Sequence, residues 1–155
     1  MCARAPRHSN SGMNLPRLLF ARLARGKPFF RSVVETGTHP NSIARVTSGE
    51  LDAASIDCMT YAFFKDHRPE VVASLRILAE TPDSPAIPFV TSIATPADEA
   101  ARLQAALFRV AANPARRPVL DGLRLRSISM PDPAAYAGLL DYERQAAELG
   151  YPELA

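Results

Sequence analysis

An α/β fold on a parallel sheet is predicted for the first eighty residues. Apolar positions at helical spacing alternate there with β-branched and aromatic runs, the loops between them are short, and proline and glycine fall at the joints. The chain has 155 residues, 47% apolar and 22% charged, the balance of a globular protein of one domain or one and a half.

Leu15, Leu18, Leu19 and Leu23 recur at helical spacing, Pro16 is tolerated in a first turn and Gly26 stops the run, so a helix is expected over about 12–25. The run FFRSVVET, bounded by Pro28 and Gly37, has the composition of a largely buried strand over about 29–35. Pro40 suits a first helical turn, Ile43 and Val46 share a face and Gly49 terminates, which gives a short helix over about 40–48. LDAASID reads as a strand, and Asp57 at its end can cap a helix CMTYAFFKDH that stops before Pro69. SLRILAET alternates Leu75, Ile77 and Ala79 to one side as a further strand.

The pattern breaks at TPDSPAIP, whose three prolines make a stiff extended crossover. FVTS reads as a short strand. Thr95, Pro96 and Asp98 open a helix by capping-box chemistry, with Leu103, Leu107, Val110 and Ala111 as its buried stripe to about 112. LRLRSIS is a short strand or an extended return. Asp132 and Pro133 start a last helix through Leu139, Leu140 and Ala147 to Leu149, closed by Gly150.

Net charge is +2, yet Arg4, Arg7, Arg17, Arg22, Arg25, Lys27 and Arg31 all precede the first acidic residue, Glu35. Three readings are open: a solvated basic face, an Arg-rich targeting segment, or a field that attracts anions. Nucleic acid is not expected as a partner, because Phe20, Phe29 and Phe30 read as core rather than as a stacking platform. Cys2 and Cys58 follow no motif spacing, so no disulfide is expected, and Cys58, inside an apolar run, is expected to be a buried free thiol. No run approaches the eighteen apolar residues of a membrane span, and no export signal is read from the chain as written.

Three groups of residues could carry chemistry. Ser9, Asn10, Ser11 and Gly12 stand at the start of the first helix, where hydroxyls, a glycine, unpaired amides and the helix dipole together favour an anion; the plain alternative is an ordinary cap. Thr38 and His39, with Ser42 one turn on, open the second helix, where a ring N–H can donate to an anion; the alternative is a polar surface residue beside a cap. Asp57 has Cys58, Thr60 and Tyr61 beside it. It can accept from a protonated ligand oxygen or an amine, or merely cap its helix. A thiol triad of Cys58, His39 and Asp57 lacks any nucleophile signature, and His8 and His67 add no metal-ligand spacing. No catalytic residue, metal or cofactor is expected.

Taken in order, SNSGMN, then FFRSVVETGTHPNSIARVTSGELDAASIDCMTYAF, then LRILAETPDSPAIPFVTS resemble the phosphate/phosphonate-binding proteins of ABC importers, a branch of the type II periplasmic binding proteins. The likeness runs from about Ser9 to GYPEL at the carboxyl end. It implies two α/β lobes closing on an oxyanion held by Ser9, Asn10, Ser11, Gly12, Thr38 and His39, with Asp57 as a lobe-closing or amine-recognising acceptor and Tyr61 near the pocket. It also implies a membrane permease as partner and a periplasmic location, against a cytoplasmic one from the chain as written.

Under that resemblance, residues 1–8 are a start that does not match, in place of a strand before the serine-glycine turn. Residues 9–80 are a nearly complete second lobe, 81–92 the crossover and 93–155 a helical segment returning to the first lobe. The expectation is a truncated copy with Leu103, Leu107, Phe108 and Leu139 partly exposed. The function expected is binding, not catalysis. The alternatives are an enzyme acting on a small phosphorylated substrate, with His39 its only candidate base, and a cytoplasmic oxyanion sensor.

Overall fold

Cys2, Ala3 and Arg4 form β1, the middle strand of a three-stranded parallel sheet in the order β2-β1-β3. In the computed structural model, which describes residues 1–155, β2 is Val33–Glu35 and β3 is Ala53–Ala54. Cys2 lies opposite both Val33 and Ala53, and Arg4 lies opposite Glu35. A strand therefore stands where residues 1–8 were expected to supply none. Three residues without β-branching carry no readable period; pairing on both sides makes this segment a strand. Burial pushes the Cys2 thiol up to about 11, against a smaller opposing pull from the chain's amino terminus.

The two partner strands are shorter than expected, because β1 offers only three residues to pair with. Phe29 and Phe30, expected in β2, instead donate their amides to the Ala155 carbonyl at 2.8 and 3.1 Å. Their rings pack with Phe20, with centroids 4.6 to 5.1 Å apart. Phe20 and Phe30 are partly buried against the core, as expected, but Phe29 is 45% exposed and caps the cluster from outside.

Helix α1, Leu15–Ala24, follows a single wide turn over Asn10–Asn14, in which the Asn14 amide reaches back to the Ser9 carbonyl at 3.1 Å. Arg25 and Gly26, both with positive φ, end it. Met13, Leu18, Ala21 and Ala24 pack against Ala146, Tyr151 and Leu154 to form the main core cluster. Helix α2, His39–Thr47, lies on the sheet and buries Ser42 and Ile43. Helix α3, Cys58–His67, starts at Asp57 as expected, and the short α4, Pro69–Val72, follows. Cys58 is exposed at the first position of α3, so the buried free thiol is Cys2 and not Cys58.

Residues 1–84 and 134–155 make up this unit, and residues 85–133 make up a second. The second contains α5, Ala97–Ala112, a tight turn at Pro114–Arg116, and α6, Arg117–Gly122. Neither SLRILAET nor FVTS is a strand, and Ile77, Leu78, Phe89 and Val90 are exposed. The capping box at α5 does not form: Pro96 occupies the cap position, and the Thr95 hydroxyl bonds Thr91 at 2.8 Å instead. The expected buried stripe is not buried either, since Leu103 and Val110 are exposed. LRLRSIS is an irregular return whose Leu125 and Arg126 carbonyls accept from Arg117.

The expected last helix is two, α7, Pro133–Ala137, and α8, Leu139–Glu148, interrupted at Gly138. Helix α8 packs on α1. Part of the cationic start is neutralised inside the first unit, where Arg4 meets Glu35 at 2.8 Å and Arg7 meets Glu153 at 2.6 Å. No helix is long and apolar enough to cross a membrane.

Candidate functional site

In a parallel sheet all carboxyl ends lie along one edge, and here each end leads into one of the three candidate groups. β1 leads to the Ser9–Gly12 turn, β2 to Thr38 and His39, and β3 to Asp57. The groups meet at one ring. His39 Nε2 lies 3.1 Å from Ser11 Oγ and 3.3 Å from Asp57 Oδ2.

Each group is tied down by its own backbone. The Ser9 hydroxyl accepts from the Gly12 amide at 3.1 Å, and the Thr38 hydroxyl accepts from the Asn41 amide at 3.3 Å. Both are N-caps, as the plain reading of each position has it. A capping oxygen uses a lone pair and keeps its O–H, so a cap can still donate to an anion. Asp57 is more fully engaged: Oδ1 accepts from the Thr60 amide at 2.8 Å, and Oδ2 accepts from the Thr60 hydroxyl at 2.5 Å.

Gly12 serves the fold directly. A Cβ at this position would stand 2.2 Å from the Ala5 Cβ, so only glycine lets the turn fold back onto the end of β1, where the Ala5 amide donates to the Gly12 carbonyl. Asn10 accepts at its Oδ1 from Asn14 Nδ2 at 3.1 Å. Tyr61 sits half-buried on α3, with its amide bonded to the Asp57 carbonyl.

A carboxylate only accepts, so Asp57 Oδ2, 3.3 Å from His39 Nε2, favours the tautomer that carries its proton on Nε2. Nδ1 is buried without a hydrogen-bond partner. Ser11 and Asp57 approach the same ring nitrogen, whereas a serine nucleophile and its orienting acid need opposite nitrogens. No hydrogen bond joins Cys58 to His39. No group of three or more His, Cys, Asp or Glu is placed to hold a metal ion.

Apart from Ser42, the residues that support the site carry no signal in the sequence. Thr36 and Ser42 are buried with their hydroxyls 2.5 Å apart, Thr36 Oγ1 donates to the Arg4 carbonyl at 3.2 Å, and the Asn41 side chain donates to the Thr36 carbonyl. Ser55, just past β3, donates to the Ser11 carbonyl at 2.7 Å. These bonds join the ends of all three strands, and isolated Ser and Thr residues reveal such roles only once the sheet order is known.

A surface depression of about 450 Å³ belongs to the second unit and is lined by Arg117, Asp121, Arg124, Leu125 and Arg126. The Arg117 guanidinium there is engaged by Asp121 and two backbone carbonyls. At the strand-end cluster, by contrast, polar groups from three elements converge on one ring.

A family model described as ABC transporter, phosphonate, periplasmic substrate-binding protein matches residues 2–136. The match opens inside β1 rather than at Ser9, and it closes within α7 rather than at the carboxyl end. A search of curated proteins finds no match.

Proposed function

The chain belongs to the periplasmic phosphonate-binding substrate-binding proteins of ABC transporters, and on that premise we propose that it binds phosphate, a phosphonate or a similar small oxyanion. The observation that carries this reading is the 3.1 Å approach of Ser11 Oγ to His39 Nε2, which sets two helix starts face to face. Ser9, Asn10, Ser11 and Thr38 supply neutral donors, the first-turn amides add the helix dipole, and His39 supplies a ring N–H. Each hydrogen bond to a charged oxygen contributes roughly 1.5–3 kcal/mol. Asp57, as an acceptor beside these donors, favours a ligand that brings a proton of its own, on an oxygen or on an amine. Tyr61 walls the pocket. The work of the protein is binding and delivery to a membrane permease on the outer side, without catalysis.

Thermal unfolding of the purified chain with phosphate or methylphosphonate, and with sulfate at matched ionic strength, tests this. A ligand that binds only the native state stabilises by about 2.7 kcal/mol at a hundredfold excess over its dissociation constant. A rise in Tm with phosphate or methylphosphonate that sulfate does not produce is the expected result, and His39→Ala should abolish it. A transition that no anion moves, or that sulfate moves equally, overturns the reading.

A further inference from the structure

Beneath the Ser9–Gly12 turn runs a chain of hydrogen bonds whose direction is set by a buried cation at one end of Asn14 and by the Leu139 carbonyl at the other. Arg17 on α1 is only 6% exposed. Its Nη2 donates to Asn14 Oδ1 at 2.8 Å and its Nη1 to the Pro152 carbonyl at 2.8 Å, with Glu143 Oε1 at 3.5 Å. Asn14 Nδ2 donates in turn to Asn10 Oδ1 and to the Leu139 carbonyl, both at 3.1 Å.

A guanidinium has five N–H donors and no acceptor, so an amide facing it must present its oxygen. Asn14 is thereby held with its nitrogen toward Asn10, and Asn10 with its oxygen toward Asn14. The open end of the relay is the Asn10 amide nitrogen, for which no protein acceptor is present. Turned the other way, Asn10 would offer an oxygen, which an oxyanion cannot use.

We propose that Arg17 is a positioning residue for anion recognition: acting through Asn14, it holds the Asn10 amide so that its NH2 is the end offered to a bound oxyanion. This deepens the binding reading above and rests on it. It also gives the buried cation a role. Arg17 Nε is buried without a partner, a cost that an apolar side chain of similar length would avoid. Pro152 and Leu139, two anchors of the relay, lie beyond the residues matched by the family model, so the last segment of this chain supports the turn as well as the core.

The test is a double-mutant cycle on the whole chain, with phosphate affinity measured by calorimetry for Arg17→Met, Asn10→Ala and the pair. Each single change should weaken binding about tenfold, the value of one hydrogen bond to a charged group. In the Asn10→Ala background the Arg17→Met change should then alter affinity by less than about twofold. The side-chain amide signal of Asn10 in a nitrogen-15 spectrum should move with phosphate in the unaltered chain and in Arg17→Lys, which keeps a donor-only group, and not in Arg17→Met.

Losses that multiply in the double variant overturn the proposal and leave Arg17 as a structural or long-range charge. Should Arg17→Met fail to fold, Asn14→Ala takes its place in the cycle, since it cuts the same relay with Arg17 retained. An unaltered chain that binds neither phosphate nor methylphosphonate overturns the binding reading, and this inference with it; binding of either with multiplying losses overturns the inference alone.

Discussion

The segments FFRSVVET, SLRILAET and FVTS all read as strands in the sequence, yet only the first contributes one. The difference is a partner. Val33, Val34 and Glu35 lie beside Cys2, Ala3 and Arg4, whereas no strand lies beside residues 74–81 or 89–92. Two helices repeat the contrast. Helix α1 buries Leu18 against α8 and the Tyr151 region, while α5, with a comparably clear apolar stripe, buries no residue. In residues 85–133 only Leu120 is buried. Pattern supplies a face that can be buried, and a second surface decides whether burial happens.

The largest test of this contrast is a pair of leucines. Leu18→Ala, at a site 1% exposed, should cost about 3 kcal/mol, whereas Leu103→Ala, at 50% exposure, should cost less than about 1 kcal/mol. Urea unfolding of both variants reads the difference, and equal losses would mean that α5 is covered in solution.

Two glycines make the next pair. Gly12→Ala forces a methyl into the Ala5 side chain and should cost about 2 kcal/mol. Gly122→Ala in α6 meets nothing within 4 Å and should be neutral or stabilise by up to about 1 kcal/mol. The same titrations measure both, and a neutral Gly12→Ala would show that the turn does not rest on β1 as described.

The smallest effect is a slope. The Cys2 thiol is raised to about 11 in the fold, so the folded chain holds its proton where the unfolded chain, titrating near about 8.5, has begun to lose it. The stability that this provides is complete below about pH 8.5 and is lost as pH climbs toward the folded value. Cys2→Ala should flatten the alkaline limb of Tm against pH, and an unchanged limb would show that β1 is open to solvent.

What was legible in the sequence was the chemistry that acts over one helical turn. Thr38 and Asp57 as caps, Pro40 in a first turn and Gly26 and Gly150 as stops all depend on neighbours within a few residues. The alternation of helices and strands was likewise enough for an α/β fold with the candidate groups at strand ends. Features set by distant partners were not legible. β1 has too few residues to show a period, Thr36, Ser55 and Arg17 act through partners far along the chain, and Cys58 is exposed where it was expected to be buried. The same limit applied to α5, whose pattern describes one face and is silent about the surface opposite it.

The place of β1 in the sheet has a consequence for how the chain acquires its shape. The middle strand precedes both of its partners in the sequence, and its second edge stays unpaired until Ala53 and Ala54 have been made. Each pairing closes a long loop, with an entropic cost met before the sheet returns any stability. The helices α1 and α2, which lie within those loops, shorten the span to be searched once they form. A lesion in either helix should therefore appear first in the speed of assembly, even where the finished protein is scarcely altered.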